Sequence, residues 1–240
     1  MINNKKIIVV LPAFNAGKTL EKTLIQIPLE IVDDIILVDD YSSDNTIEIA
    51  EKYGLEHIFK HTSNLGYGAN QKTCYEKALE LNADIIIMLH PDYQYTPKLI
   101  QSISYIIANE VYPVVLGSRI LGKGALKGGM PHYKYFFNRI LTLFQNIILN
   151  EKLSEYHTGY RGFSAEVLKT INFKNNSDDF VFDNQVLTQI FMKNFEIGEI
   201  TCPTKYFKEA SSINFKRSVK YGLGCIIASL VYRSHKWKLI

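Results

Sequence analysis

The chain opens on a short continuous apolar run, Lys5 to Leu11, rich in β-branched residues and stopped by Pro12. Runs of this kind suit strands covered on both faces of a parallel sheet, so it reads as a first strand. Apolar spacing from Asn15 to Ile27 predicts a helix, and Asp34 to Val38 predicts a second buried strand that ends on two carboxylates, Asp39 and Asp40. Ser43, Asp44 and Asn45 offer capping groups ahead of a helix over Thr46 to Tyr53. The pattern then repeats, with a strand near Glu56 to Lys60, a helix over Gly66 to Leu81, and strands over Asp84 to Leu89 and Val114 to Gly117. Such alternation predicts an α/β fold with a mostly parallel central sheet flanked by crossover helices.

After Arg119 the pattern changes. Gly122, Gly124, Gly128 and Gly129 predict a flexible basic loop, and Tyr133 to Leu149 reads as a long apolar-aromatic helix with few charges. A helix of that composition is either buried in a core or lays part of its surface against lipid.

A content of 47% hydrophobic and 21% charged residues over 240 positions is that of an ordinary globular chain. The formal net charge of +3 is too mild for a nucleic-acid binder, and no nucleic-acid partner is expected. Basic residues do gather late in the chain, at Lys205, Lys208, Lys216, Arg217, Lys220, Arg233, Lys236 and Lys238. Cys74, Cys202 and Cys225 form no CxxC pair and no secretory signal precedes them, which fits a cytoplasmic location. The apolar stretch from Tyr221 to Tyr232, flanked by Lys220 and Arg233, falls short of the roughly 18 residues of a spanning helix. The chain is expected to be able to rest peripherally on a membrane without crossing it.

In an open α/β sheet ligands bind beyond the carboxyl ends of the strands, so polar groups just after each apolar run should converge on one crevice. The first strand ends in Pro12-Ala13-Phe14-Asn15, the second in Asp39-Asp40, the fourth in His90-Pro91-Asp92-Tyr93-Gln94 and the fifth in Gly117-Ser118-Arg119. Each fragment has a plainer reading, since an Asp-Asp pair is often a turn or a cap, and an arginine after a strand often pairs with a structural carboxylate. Taken together they suit a nucleotide. Asp39 and Asp40 supply acceptors for a base and ribose, while Asp92 and the side-chain carbonyl of Gln94 are hard oxygen ligands for Mg2+ or Mn2+ on a diphosphate. Such an ion cancels charge on a departing diphosphate, and Arg119 and Arg161 are candidate cationic clamps.

The motifs LPAFNAGKTL (Leu11 to Leu20), ILVDDYSSDNT (Ile36 to Thr46), NLGYGAN (Asn64 to Asn70), HPDYQYTP (His90 to Pro97), GSR (Gly117 to Arg119) and TGYRGFS (Thr158 to Ser164) carry a family resemblance in their order and spacing. Over about residues 5 to 205 the chain resembles the glycosyltransferase family 2 enzymes with a GT-A fold, and within them the dolichyl or polyprenyl phosphate sugar synthases. The resemblance implies that Pro12, Ala13 and Asn15 lie against the nucleotide, that Asp39 and Asp40 hold its base and ribose, and that Gly68 lines the same pocket. Asp92 falls on the second aspartate of the family's DxD motif and Gln94 on a glutamine that often follows it as a metal ligand. His90 departs from the pattern by standing where the first aspartate is usual. It reads as a ligand, as a partner for sugar hydroxyls, or as a structural histidine.

An inverting transfer needs an acceptor oxygen in line behind the anomeric carbon and, for a hydroxyl acceptor, a carboxylate to take its proton. Asp183, in the cluster Asp178-Asp179-Phe180-Val181-Phe182-Asp183, matches the family's acidic region best, while Asp178 and Asp179 equally suit a helix amino terminus. The resemblance thus implies catalytic roles for Asp92, Asp183, Arg119 and Arg161, a catalytic domain over residues 1–210 with donor and acceptor halves meeting near residue 120, and a basic amphipathic helical extension over 211–240. The expected reaction moves a hexose from a UDP- or GDP-sugar to polyprenyl phosphate or a glycan precursor. Lys123, Lys127, Lys134 and Arg139 beside the apolar helix, and the basic residues around Phe215 to Trp237, suit a lipid-phosphate acceptor or an anionic membrane surface. A packed helix pair or a homo-oligomer contact explains the same composition. A nucleotidyltransferase would want a glycine-rich GxGxRx-type signature that Pro12 to Gly17 does not supply, and a non-catalytic nucleotide-sugar binder is the remaining alternative.

Overall fold

The computed structural model describes residues 1–206 and 215–237, and of residues 215, 216 and 235–237 the backbone alone. Among the described residues one seven-stranded sheet contains β1 (Ile7–Ala13), β2 (Asp34–Asp39), β3 (His57–Lys60), β4 (Ile85–Met88), β5 (Val114–Ser118), β6 (Arg161–Ser164) and β7 (Ile197–Thr201). Their spatial order is β3-β2-β1-β4-β6-β5-β7. Neighbours run parallel except β6, which is antiparallel to both β4 and β5.

The helices are α1 (Leu20–Leu24), α2 (Thr46–Lys52), α3 (Tyr67–Glu80), α4 (Ile100–Ala108), α5 (Gly124–Lys127), α6 (His132–Leu149), α7 (Ala165–Thr170), α8 (Phe182–Met192) and α9 (Phe215–Trp237). Successive side chains of a strand point to opposite faces. Ile8 and Val10 of β1 accordingly enter the core shared with α3 and α8, whereas Ile7, Val9 and Leu11 enter the core shared with α1, α2 and α4. Burial on both faces is why β1, β4 and the later part of β2 are uninterrupted apolar runs.

Pro12 sits inside β1 without cost because of where its missing N–H points. The carbonyls of Ile7 and Ala13 accept bonds from Asp33 and Asp40 on the β2 side, and that of Val10 accepts one from Leu89 on the β4 side. Pro12, two residues beyond Val10, therefore turns toward β4, and the β1–β4 pairing has already stopped at Val10 with Met88. There the chain departs to opposite sides of β1, the place beyond which open α/β sheets bind their ligands.

Two expected elements differ. The helix expected over Asn15 to Ile27 is confined to α1, because Asn15 takes a left-handed φ of 52° and Ala16 and Gly17 donate to Thr46 and Asp44 across the β2 loop, at 2.9 Å each. The glycine-rich stretch after Arg119 is not all loop, since Gly124–Lys127 forms α5. Of the basic residues read late in the sequence, Lys208 and Lys238 and the side chains of Lys216 and Lys236 lie outside the described residues, as does the boundary expected at residues 210 and 211.

α6 is amphipathic in an inverted sense. It buries Asn138, Thr142, Gln145 and Leu149. Phe136, Ile140, Leu143 and Ile147, spaced i, i+4, i+7, i+11 along one stripe, are each half or more exposed. On α9, Val219, Leu223, Ile227 and Leu230 are likewise exposed. The inner faces are joined by polar bonds: Gln145 donates to Asn184 of α8 and to Ser229 of α9, and Asn184 donates to the Tyr221 hydroxyl at 2.9 Å. Among the described residues, no helix is long and apolar enough to cross a membrane.

Candidate active site

The ends of β1 and β2 are knitted into one wall. The Asn15 side-chain oxygen accepts from the Ser43 backbone at 2.9 Å, and the Asn15 backbone donates to the Ser42 hydroxyl at 2.8 Å. Ala13 stands in register with Asp39 and Pro12 with Val38. Asp39 is fully buried; its Oδ2 accepts from the Ser42 backbone at 3.0 Å, while Oδ1 is buried with no partner among the described residues. An orphaned carboxylate oxygen beside Pro12, Ala13 and Asn15 is a ready acceptor for a ligand N–H or hydroxyl.

Asp40 is placed differently from its neighbour. Its Oδ1 meets Leu65 N and His61 Nδ1, both at 2.8 Å, and its Oδ2 accepts from Gly66 N at 2.9 Å. Asp40 thus anchors the Asn64-Leu65-Gly66 turn ahead of α3. Gly68 serves packing: a Cβ there would lie 2.3 Å from the Ser177 carbonyl oxygen and 2.8 Å from Phe182 Cβ, so the lack of a side chain lets α3 approach that backbone. It is not among the residues that line the cavity described next.

A cavity of about 810 Å³ is lined at its polar end by His90, Asp92, Gln94, Arg119, His157 and Asp183, and reaches Phe14 at the end of β1. Its far walls are apolar, from Tyr133, Phe137, Ile140 and Phe144 of α6 and Val219, Leu223 and Ile226 of α9. Lys134 and Arg217 also face it. Asp92 and Gln94 share the turn after β4, where Gln94 N donates to Asp92 Oδ1 at 3.1 Å. Both line the cavity, and carboxylate and amide oxygens are the ligand types that a hard divalent cation takes. Among the described residues no three His, Cys, Asp or Glu side chains converge to hold an ion.

Asp183, in the first turn of α8, is buried at the base of the cavity. The Tyr67 hydroxyl donates to its Oδ2 at 2.7 Å and Gln71 Nε2 to its Oδ1 at 3.2 Å. Arg161 is fully enclosed; it donates to the carbonyls of Thr158, Asp183 and Tyr156 at 2.8, 2.8 and 3.1 Å and stands 3.7 Å from Asp183 Oδ1. In this position it braces Asp183 and does not reach the cavity. Asp178 and Asp179 pair with Lys72 and Lys220, each at 2.8 Å, and the cap position of α8 falls to Val181.

Arg119 does face the cavity, held by Glu155. Glu155, wholly buried, accepts from Arg119 N and Nε at 2.9 Å each, from the Arg119 guanidinium terminus, and from Asn138 at 2.8 Å. The same guanidinium donates to the His157 carbonyl at 2.7 Å and the Tyr206 hydroxyl at 3.0 Å. Burial alone would lower the Arg119 pKa, and the Glu155 charge more than offsets it. Burial and then the Arg119 charge pull Lys134 down. Burial takes His157 from 6.5 to about 4 despite Glu155, and burial lowers His90 against the pull of Asp92 and Asp183.

Sequence reasoning passed over Tyr67, Glu155, His157 and Tyr206. Tyr67 and His157 stood within or beside quoted motifs, which is the one signal available; Glu155 and Tyr206 had none.

Residues 8–171 match the model of the family "Glycosyl transferase family 2". The chain is 31% identical over 211 residues to uncharacterized protein MJ1222 of Methanocaldococcus jannaschii, covering 88% of this chain and 86% of that one. It is 27% identical to the UDP-N-acetylglucosamine--dolichyl-phosphate N-acetylglucosaminyltransferase of Methanococcus voltae, over 85% of this chain and 87% of the other. Among solved structures, glucosyl-3-phosphoglycerate synthase of Mycobacterium tuberculosis in complex with Mg2+ and uridine diphosphate superposes with a TM-score of 0.75 at 18% identity, over 96% of this chain and 80% of that one. Another structure of that enzyme holds Mn2+ in place of Mg2+, with uridine diphosphate and glucosyl-3-phosphoglycerate. The chain belongs to glycosyl transferase family 2 and is a glycosyltransferase with a GT-A fold.

Proposed function

We propose that the chain is an inverting hexosyltransferase that uses a UDP- or GDP-sugar and delivers the sugar to a polyprenyl phosphate at the cytoplasmic face of a membrane. The observation that carries this reading is one cavity whose polar end holds Arg119, with Lys134 and Arg217 also facing it, and whose far walls, from α6 and α9, are apolar. A phosphate on a long hydrocarbon has that same division. The Methanococcus voltae relative is named for transfer to dolichyl phosphate, in line with this acceptor class. A glycan precursor lacking a lipid would leave the apolar walls without a purpose.

In this reading Asp39 Oδ1 receives the nucleoside, with Pro12, Ala13 and Asn15 forming the wall behind it. Asp92 and Gln94 hold Mg2+ or Mn2+, which supplies charge neutralisation for the leaving nucleoside diphosphate. Arg119, held by Glu155, together with Lys134 draws the acceptor phosphate toward the anomeric carbon. One acceptor oxygen attacks from the face opposite the diphosphate: the new C1–O bond forms as the old C1–O bond breaks, and the configuration inverts. A phosphate acceptor is already ionised, so Asp183 needs to remove no proton and serves to orient, with Arg161 behind it. The exposed stripes of α6 and α9 adjoin the cavity walls and rest on the bilayer that carries the acceptor.

Incubation with labelled UDP-, GDP- and dTDP-hexoses and a short polyprenyl phosphate in vesicles tests this. Transfer to lipid that needs a divalent cation and is lost in Asp92→Ala is the expected result. Transfer only to water-soluble acceptors, or donor hydrolysis indifferent to the lipid, would overturn the acceptor assignment. Vesicle flotation of Leu143→Glu/Ile147→Glu separates bilayer contact from a homo-oligomer: a stripe that holds two copies together would leave flotation absent in the parent chain and show a dimer in light scattering.

A further inference from the structure

Tyr67, the first residue of α3, ties the two halves of the site together. Its hydroxyl lies 2.7 Å from Asp183 Oδ2 and 3.1 Å from His90 Nε2. The Tyr67 and His90 rings stack with centroids 5.4 Å apart at 17°, and Phe180 packs on Tyr67 at 4.6 Å. The Nε2–Cδ2 edge of His90 is pressed against Gly159, where a Cβ would come within 2.5 Å of Nε2 and 2.6 Å of Cδ2. The imidazole is therefore clamped in one orientation, and that edge has no room to turn.

Proton counting then selects the tautomer. A phenol has one hydrogen to give, and Tyr67 gives it to Asp183 Oδ2. The bond between Tyr67 and His90 must then be donated by His90, which puts the imidazole hydrogen on Nε2 and leaves the lone pair on Nδ1. Among the described residues Nδ1 has no hydrogen-bond partner, and His90 lines the cavity with Asp92 and Gln94.

We propose that Tyr67 is a positioning residue that holds His90 as its Nε2–H tautomer, so that Nδ1 offers a nitrogen ligand to the divalent cation at Asp92 and Gln94 and tilts the site toward Mn2+ over Mg2+. The inference rests on the reading of Asp92 and Gln94 as cation ligands. Imidazole adds more to the affinity of first-row transition ions than of Mg2+, which favours all-oxygen shells. A second partner that fixes the tautomer of a histidine ligand commonly changes metal affinity by 10–100-fold.

The test uses the full chain with 15N-labelled histidine rings and uridine diphosphate present. The expected spectrum shows His90 protonated at Nε2 and bare at Nδ1. Tyr67→Phe, which keeps the stacked ring, is expected to mix the tautomers and weaken Mn2+ binding by about tenfold or more, with Mg2+ binding changed much less. His90→Asp is expected to reverse the preference toward Mg2+. A bare Nε2 in the parent spectrum, or an unaltered Mn2+-to-Mg2+ affinity ratio in both variants, would overturn the proposal. Asp92→Ala distinguishes the underlying reading: if it binds both ions as the parent does, the cation site itself is misplaced.

Discussion

Replacing Glu155 by alanine probes how the site holds its cavity-facing arginine. The Glu155 carboxylate is wholly buried and takes four hydrogen bonds, three from Arg119 and one from Asn138. Its removal strands a guanidinium whose remaining partners are the His157 carbonyl and the Tyr206 hydroxyl. Breaking a buried pair from one side costs about 3–5 kcal/mol, because the surviving charge stays desolvated. At about 2–4 °C per kcal/mol for a domain of this size, Tm should fall by roughly 6–20 °C. Scanning calorimetry at pH 7 measures it, with Arg119→Met/Glu155→Met as the comparison, which removes both charges and should be the milder change. Burial opposes ionisation of Glu155 and Arg119 overrides it, so its folded pKa lies below the ordinary value. The stabilisation is therefore present above the ordinary glutamate range and disappears as pH falls through the depressed value. A drop of Tm under about 2 °C in Glu155→Ala, against the per-degree scale above, or a double variant no milder than the single, would refute the reasoning.

Asp39→Asn should weaken nucleoside diphosphate binding by roughly ten- to a hundredfold, the worth of a bond to a charged acceptor at about 1.5–3 kcal/mol; calorimetric titration with UDP and GDP reads it, and unchanged affinity for both removes Asp39 from the nucleoside site. Gly68→Ala should cost about 1–3 kcal/mol of stability through its clash with the Ser177 carbonyl while leaving nucleotide affinity of the folded protein intact. A loss of affinity at unchanged Tm would return Gly68 to the pocket wall. His157, neutral in the fold with its pKa lowered from 6.5 to about 4, makes the protein lose stability as pH falls from about 6.5 toward 4, because the unfolded chain binds a proton the native state refuses. His157→Gln should flatten melting curves across that interval.

The sheet was legible where strands are covered on both faces. Lys5 to Leu11, Asp34 to Val38 and Asp84 to Leu89 each lead to an observed strand, because a strand between two helical layers has no polar positions to blur it. β6 was not legible as a strand: Arg161-Gly162-Phe163-Ser164 carries a fully buried arginine whose partners are carbonyls brought in from Tyr156, Thr158 and Asp183. The helix over Asn15 to Ile27 was read too long because the bonds that hold Asn15 to Gly17 off a helical path come from residues 42–46, which spacing along the chain does not register. The polar strand ends marked the crevice, yet two adjacent aspartates received unlike surroundings, since only Asp40 meets the turn that precedes α3. α6 left open in sequence whether its apolar residues turn inward, and it is Asn138, Thr142 and Gln145 that do so.

The early end of the β1–β4 pairing follows from an absent atom. With no hydrogen on the Pro12 nitrogen, the last rung that could zip β4 onto β1 cannot form, whatever the side chains around it do. That end is thus written into the covalent chain and needs no ligand to wedge the strands apart. Amide exchange at Val10 and Leu89 should be alike in the empty and the nucleotide-loaded protein, because the pairing ends on the same rung in both.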